Sequence, residues 1–179
     1  MSAADPFATL GLPRSYRLDV RELETRYREL QKALHPDRHA GASASQRRMS
    51  LTRAVEVNDA YRALRDDVTR AEALLSVVGA GSQREQADPA FLMEIMELRE
   101  ELGEARARGD LDTVAALGKR VGALRDDSRQ ALEQSFEQAL AAPIADAAAV
   151  ADAARTLGKL KYYRRFLDEV AAIEDEALG

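Results

Sequence analysis

Three residues that could bind a metal or move a proton stand close together in the chain: His35, Asp37 and His39. Imidazole and carboxylate groups at this spacing could meet in one loop as metal ligands or as an acid–base pair. The chain has no third histidine and no cysteine to complete a usual transition-metal site. It also has no Gly-x-Ser-x-Gly motif and no glycine-rich phosphate loop. We therefore expect no enzymatic activity, no nucleotide site, no bound metal and no cofactor.

The segments on either side of these residues determine where they lie. Pro36 cannot donate a backbone hydrogen bond and disfavours helical geometry at His35, so a preceding helix must end there. Apolar residues recur on one helical face on both sides: Val20, Leu23, Tyr27, Leu30 and Leu34 before the proline, and Met49, Ala54, Val57, Tyr61 and Leu64 behind it. The sequence predicts two antiparallel helices joined by an exposed loop that carries His35, Pro36 and Asp37.

This arrangement resembles the signature of the J domain, the module by which co-chaperones trigger ATP hydrolysis in a heat-shock-type partner. The helix behind the loop adds to the likeness, because residues 58–64 are similar to the family's Asn-x-Ala-Tyr-x-x-Leu segment. The resemblance implies that His35, Pro36 and Asp37 bind the chaperone. The alternative is that His-Pro-Asp only stops a helix in a helical hairpin.

The helix before the loop carries a basic face. Arg21, Arg28 and Lys32 recur at i, i+7 and i+11, with Arg26 to one side and Arg38 just past the loop. Such a run is usually a solvated face. Beside His-Pro-Asp it resembles the basic patch that meets an acidic surface on the chaperone's ATPase domain, a pairing that steers encounter and weakens with salt.

Composition and charge narrow the remaining possibilities. Apolar residues make up 46% of the chain, enough for a core, and only 5% of the residues are aromatic. Alanine, leucine, glutamate and arginine dominate, which favours helices. No apolar run approaches the length of a membrane span. The N-terminus lacks the basic and apolar parts of a secretory signal, so we expect a cytoplasmic protein that does not bind membranes. A net charge of −5 argues against a nucleic-acid partner. Residues 1–75 carry 13 basic and 11 acidic residues, whereas the remainder carries 13 and 20, which points to two different partners.

Helix breaks divide the chain into two predicted domains. Residues 79–87 are polar and glycine-bearing without apolar periodicity, which predicts a linker between domains at 1–78 and 88–179. Asp-Pro pairs at positions 5 and 88 predict helix starts. Short breaks at 109–110 and 142–143 then predict three antiparallel helices behind the linker. Gly118 and Gly122 favour a close helix contact in the middle one.

The first helix of this bundle has more apolar residues than one core face can use. Phe91, Ile95, Leu98 and Leu102 form a core stripe. A second set points about 85° to 185° away from that stripe and lies beside carboxylates: Leu92, Met93 and Met96 with Glu97 and Glu100. An exposed apolar strip rimmed by carboxylates is typical of a partner-binding site.

The last helix shows a similar surplus. Leu160, Tyr163, Leu167 and Val170 are predicted as core, whereas Tyr162 and Phe166 fall on a neighbouring face. Because the bundle is antiparallel, these two aromatic residues could extend the strip on the first helix into one patch. The alternative is that all these side chains fill a wide groove inside the bundle.

Residues 91–102 are very similar to the segment by which HscB-type co-chaperones bind the iron–sulfur scaffold protein IscU, and residues 70–75 resemble that family's junction helix. The likeness covers nearly the whole chain. It implies an all-α, L-shaped protein with an N-terminal J domain and a C-terminal three-helix bundle. Five residues match the family's scaffold-binding positions: Leu92, Met93, Met96, Glu97 and Glu100. Tyr162 matches an aromatic position on the last helix.

The resemblance implies a co-chaperone with two protein partners. It would bind an IscU-like scaffold through the C-terminal helices and stimulate the ATPase of an HscA-type chaperone through the J domain, promoting cluster assembly and transfer. One alternative is a general J protein that delivers unfolded clients to a DnaK-type chaperone. Such proteins usually add a Gly/Phe-rich stretch and a β-rich client domain. Another alternative is a helical adaptor without chaperone coupling.

Overall fold

The computed structural model describes residues 5–35, 43–80, 88–141 and 144–178, which form α-helices and no strand. The helices are α1 (Pro6–Leu10), α2 (Val20–Leu34), α3 (Ala44–Arg65), α4 (Asp67–Val77), α5 (Pro89–Arg108), α6 (Leu111–Leu140) and α7 (Ala147–Leu178). The all-α prediction is confirmed. The chain divides into two compact units, Met1–Ser82 and Gln83–Gly179. Over the described ranges, no helix combines the length and the hydropathy that crossing a membrane requires.

The helices begin where the sequence supplies capping side chains. The Asp5 carboxylate accepts a hydrogen bond from the Phe7 N–H at 2.9 Å, and Pro6 follows as the first helical residue. The Asp88 carboxylate accepts one from the Ala90 N–H at 3.1 Å at the start of α5. Each bond satisfies an amide that has no partner within the helix, so both predicted Asp-Pro starts are confirmed.

The first unit is built on the antiparallel pair α2 and α3, which packs with α1 and α4. Its largest fully buried side chains are Phe7, Leu10, Leu23, Leu64 and Leu74. The predicted apolar faces of α2 and α3 are too long. Val20 is 51% and Met49 is 63% exposed, because Val20 is the first residue of α2 and Met49 lies at the loop end of the hairpin.

The second unit is a three-helix bundle of α5, α6 and α7. The predicted core stripe of α5 is confirmed, since its four apolar residues are all buried. They pack in one cluster with side chains of the other two helices, among them Val114, Leu117, Val121, Tyr163 and Val170. Burial raises the pKa of the Tyr163 phenol, and the carboxylates of Glu94 and Asp127 raise it further, so this core hydroxyl stays neutral.

The predicted outward position of Phe166 is wrong. Its side chain is 0% exposed and belongs to the bundle core, whereas Leu167 is only partly buried. Successive buried residues here are three apart, at Leu157, Leu160, Tyr163 and Phe166. This spacing is shorter than the 3.6-residue turn, so the buried stripe winds around α7 and leaves the face that a straight helical wheel assigns.

The close helix contact predicted in α6 occurs at one glycine only. A Cβ atom on Gly118 would lie 3.0 Å from Cγ1 of Val170, so the missing side chain lets α7 approach α6 there. At Gly122, no side chain in the described part of the bundle comes within 4 Å of that position. The prediction is therefore confirmed at Gly118 and wrong at Gly122.

Candidate functional site

A polar and aromatic cluster fixes the register of α2 against α3. The Tyr27 and Tyr61 rings stack with centroids 4.1 Å apart and planes 14° from parallel. The Tyr27 hydroxyl donates a hydrogen bond to Asn58 Oδ1 at 3.0 Å. Gln31 Nε2 donates to the same oxygen at 2.9 Å and to the Tyr27 hydroxyl at 2.6 Å. We call these four residues the hairpin cluster.

The hairpin cluster explains why these residue types occur in the Asn-x-Ala-Tyr-x-x-Leu segment of α3. Asn58 accepts the two hydrogen bonds, Ala60 is buried, Tyr61 supplies the stacked ring and Leu64 is fully buried. Gln31 was not singled out from the sequence. Its position four residues after Tyr27 on one helical face is the signal that could have found it.

We expect Asn58→Ala to loosen the hairpin locally. The substitution removes the shared acceptor and leaves the Tyr27 hydroxyl, which is partly buried, with a poorer partner, at a cost of about 1–2 kcal/mol. Amide hydrogen exchange in α2 should therefore speed up by about 5- to 30-fold. Exchange in α6, in the other unit, serves as the internal control and should not change. Unchanged protection of α2 would show that the cluster does not hold the hairpin.

The end of α2 presents His35 to solvent. His35 is exposed and caps the helix in an extended conformation, with φ −60° and ψ 133°, as expected for the residue before a proline. The Ser50 hydroxyl donates a hydrogen bond to the Leu34 carbonyl at 3.1 Å, which ties the start of α3 to the last turn of α2. Three predicted site residues, Pro36, Asp37 and Arg38, lie outside the described residues, as does His39.

The predicted basic face of α2 is solvent-accessible. Arg21, Arg26, Arg28 and Lys32 are all exposed. Arg28 pairs with Glu24 at 3.1 Å, and Arg26 lies 3.7 Å from Glu29. Exposed pairs of this kind contribute only about 0–1 kcal/mol each, so a partner's carboxylate can compete for both guanidinium groups.

The second candidate surface lies on α5 and is called here the α5 strip: Leu92, Met93, Met96, Glu97 and Glu100. Met93 is 64% and Met96 is 70% exposed, and both glutamates are exposed. Leu92 is half-buried, at the border between the strip and the core stripe. Two large apolar side chains thus stand in water beside carboxylates, which suits binding of a protein partner.

On α7, only one of the two predicted aromatic residues is accessible. Tyr162 is half-buried, and its ring meets the Phe91 ring edge to face with centroids 5.6 Å apart. Phe166 is fully buried and cannot contact a partner. The candidate surface of the bundle therefore consists of the α5 strip and Tyr162. Because Phe91 stands next to Leu92 in the chain and touches Tyr162, the two parts adjoin at the start of α5.

These surfaces are suited to docking of a protein partner. Within the described ranges, no three histidine, aspartate or glutamate side chains group closely enough to hold a metal ion.

Comparison with known proteins assigns each half of the chain to a domain family. Residues 5–73 match the DnaJ domain family, and residues 87–171 match the family described as the HSCB C-terminal oligomerisation domain. A co-chaperone protein HscB homolog from Vibrio campbellii is 36% identical over 177 residues, which cover 97% of this chain and 98% of the relative. The homolog from Vibrio cholerae is 39% identical over 176 residues, with the same coverage. The chain belongs to the HscB family of co-chaperones.

Solved HscB structures share the fold. Chaperone HscB from Vibrio cholerae superposes with a TM-score of 0.79 at 36% identity, over 96% of this chain and 98% of that chain. The human co-chaperone protein HscB gives a TM-score of 0.81 at 26% identity, over 97% of this chain and 84% of that chain. The predicted combination of a J domain with an HscB-type C-terminal domain is confirmed. His35 lies within the range matched to the DnaJ family, and the α5 strip lies within the HscB range.

Proposed function

We propose that this HscB-family chain couples a folded iron–sulfur scaffold protein to a dedicated chaperone. The J domain, at residues 1–78, stimulates the ATPase of an HscA-type chaperone through His35, Pro36, Asp37 and the basic face of α2. Beyond a linker at 79–87, the C-terminal domain at 88–179 binds an IscU-like scaffold through the α5 strip and Tyr162. The coupling promotes cluster assembly and transfer.

The scaffold-binding part of this proposal is supported by the exposure of Met93 and Met96 on a bundle whose core is complete without them. The four core residues of α5 are buried without them, so neither methionine is needed to fill the bundle. Covering such side chains with a partner removes apolar surface from water, which favours association. The rim of Glu97 and Glu100 would restrict the partners that fit.

The test is an ATPase assay with purified HscA-type and DnaK-type chaperones. We expect the chain to stimulate the HscA-type chaperone, and the stimulation to rise when an IscU-like scaffold is added. Preference for the DnaK-type chaperone with an unfolded client, without scaffold binding, would support a general J protein instead. Scaffold binding without stimulation of either chaperone would leave only an adaptor.

We expect Arg28→Glu combined with Lys32→Glu to slow association with the HscA-type chaperone by about tenfold at low salt, and to reduce its salt dependence. Both side chains are exposed on α2, so the fold should persist. Stopped-flow association at two ionic strengths measures the effect. Lys119→Glu with Arg120→Glu, an equal charge change on an exposed part of α6, is the matched control. Scaffold affinity should not change, and loss of both partners together would contradict the division of roles between the two domains.

A further inference from the structure

A basic cleft of about 560 Å³ opens in the bundle beside Tyr162. Residues of α5, α6 and α7 line it, and we call it the α7 cleft. Four of its lining residues are cationic, namely Arg155, Lys159, Lys161 and Arg165, against two carboxylates, Asp88 and Asp152. This excess of positive charge stands out because residues 76–179 are acidic overall, with 13 basic and 20 acidic residues.

Two aromatic rings hold part of the cationic wall in place. Lys159 Nζ lies 5.4 Å from the centroid of the Phe91 ring, and the Arg165 guanidinium lies 5.6 Å from that of Tyr162. Such contacts orient a cation without neutralising its charge. Arg155, another cation of the wall, pairs with the lining carboxylate of Asp152. Lys159 and Arg165 thus lie beside the cleft at positions set by the aromatic rings of Phe91 and Tyr162.

The cleft is continuous with the surface proposed for the scaffold. Tyr162 belongs to both, and Phe91, which lines the cleft, precedes Leu92 of the α5 strip. Moving from the strip to the cleft, the charge changes from the carboxylates of Glu97 and Glu100 to the cations of α7. A partner that covers both must therefore carry its own negative charge beside its apolar contact.

We propose that the α7 cleft receives an acidic segment of the same scaffold protein that binds the α5 strip, an inference that rests on the proposed function. The chemical group recognised is a side-chain carboxylate, which the cations attract and orient. Opposite charges on the two sides of an apolar centre allow one docking orientation and penalise the reversed one. The volume of about 560 Å³ is enough for a few side chains of a partner.

The test is scaffold binding by the full chain carrying Lys159→Glu and Arg165→Glu. We expect the affinity to fall by about tenfold or more, chiefly through slower association and with a weaker salt dependence. A second variant with glutamine at both positions has side chains of the same shape as glutamate but no charge, so it removes the cations without adding repulsion and should lose less. Lys119→Glu with Arg120→Glu makes an equal charge change elsewhere in the bundle, and it should bind as the unmodified chain does. Circular dichroism confirms that each variant is folded.

The outcomes separate this inference from the proposed function. Unchanged affinity in both cleft variants, when Leu92→Ala with Met96→Ala does weaken binding, overturns the role of the cleft alone. If the variant in the α5 strip also binds normally, the scaffold-binding proposal fails as well. Sedimentation of the unmodified chain and the cleft variants provides a further check. Loss of self-association at unchanged scaffold affinity would mean that the cleft holds a second copy of the chain, which overturns the proposal.

Discussion

We expect His35→Gln to abolish stimulation of the chaperone's ATPase and to leave the fold of the chain intact. His35 is exposed at the end of α2 and is absent from the core, so its replacement leaves the packing of the core unchanged. The helix still ends at the same residue because Pro36 remains. Asp37→Asn should have the same effect, as the loop's carboxylate would be lost without a change in size. Single-turnover ATP hydrolysis by the HscA-type chaperone measures the loss.

Two further measurements guard this prediction. Scaffold binding by His35→Gln should match that of the unmodified chain, because the proposed scaffold site lies in the other unit. Circular dichroism should show equal helix content. Full stimulation by both His35→Gln and Asp37→Asn would falsify the proposed role of the loop in activating the chaperone. Pro36 is a poorer test, since replacing it also changes where the helix stops.

The elements of this fold are predictable because their determinants are local. Asp-Pro pairs, glycines and the apolar stripe of α5 place helix ends and buried faces within a few residues, without knowledge of what the helices pack against. The hydrogen bond of Asp88 to the start of α5 depends on residues that are neighbours in sequence. Periodicity predicts the helices but not the type of domain that they form. The type of each domain was predicted from the resemblance to J-domain and HscB-type proteins.

The wrong predictions concern residues whose burial or contacts depend on packing between helices that are distant in sequence. Phe166 is buried because the contact stripe of α7 winds around the helix, and Gly122 has open space where Gly118 meets Val170. Both depend on how the helices of the bundle pack against one another. The hydrogen bonds of Gln31 and Ser50 to residues of the facing helix likewise exist only after α2 and α3 have paired. The pattern of residues along one helix does not contain these contacts between helices.

We expect Leu92→Ala with Met96→Ala to weaken scaffold binding by about 2–4 kcal/mol, or about 30- to 1,000-fold. Apolar anchors at the centre of an interface carry most of its binding energy, whereas a rim charge mainly affects encounter. Glu97→Ala alone should therefore cost about 1 kcal/mol or less. Isothermal titration calorimetry with an IscU-like scaffold provides the affinities. Leu111→Ala with Ile144→Ala removes two exposed apolar side chains of the same unit outside the strip, and this control should bind normally.

The thermal midpoint of the same variant distinguishes a docking surface from a core. If both residues filled the bundle, their truncation would cost about 4–10 kcal/mol and unfold it. Met96 is 70% exposed and Leu92 is half-buried, so we expect a small decrease in the midpoint. A collapsed midpoint would place the pair in the core. An unchanged midpoint with unchanged affinity would remove the α5 strip from the scaffold interface, because the fold would then be intact and the partner would still bind.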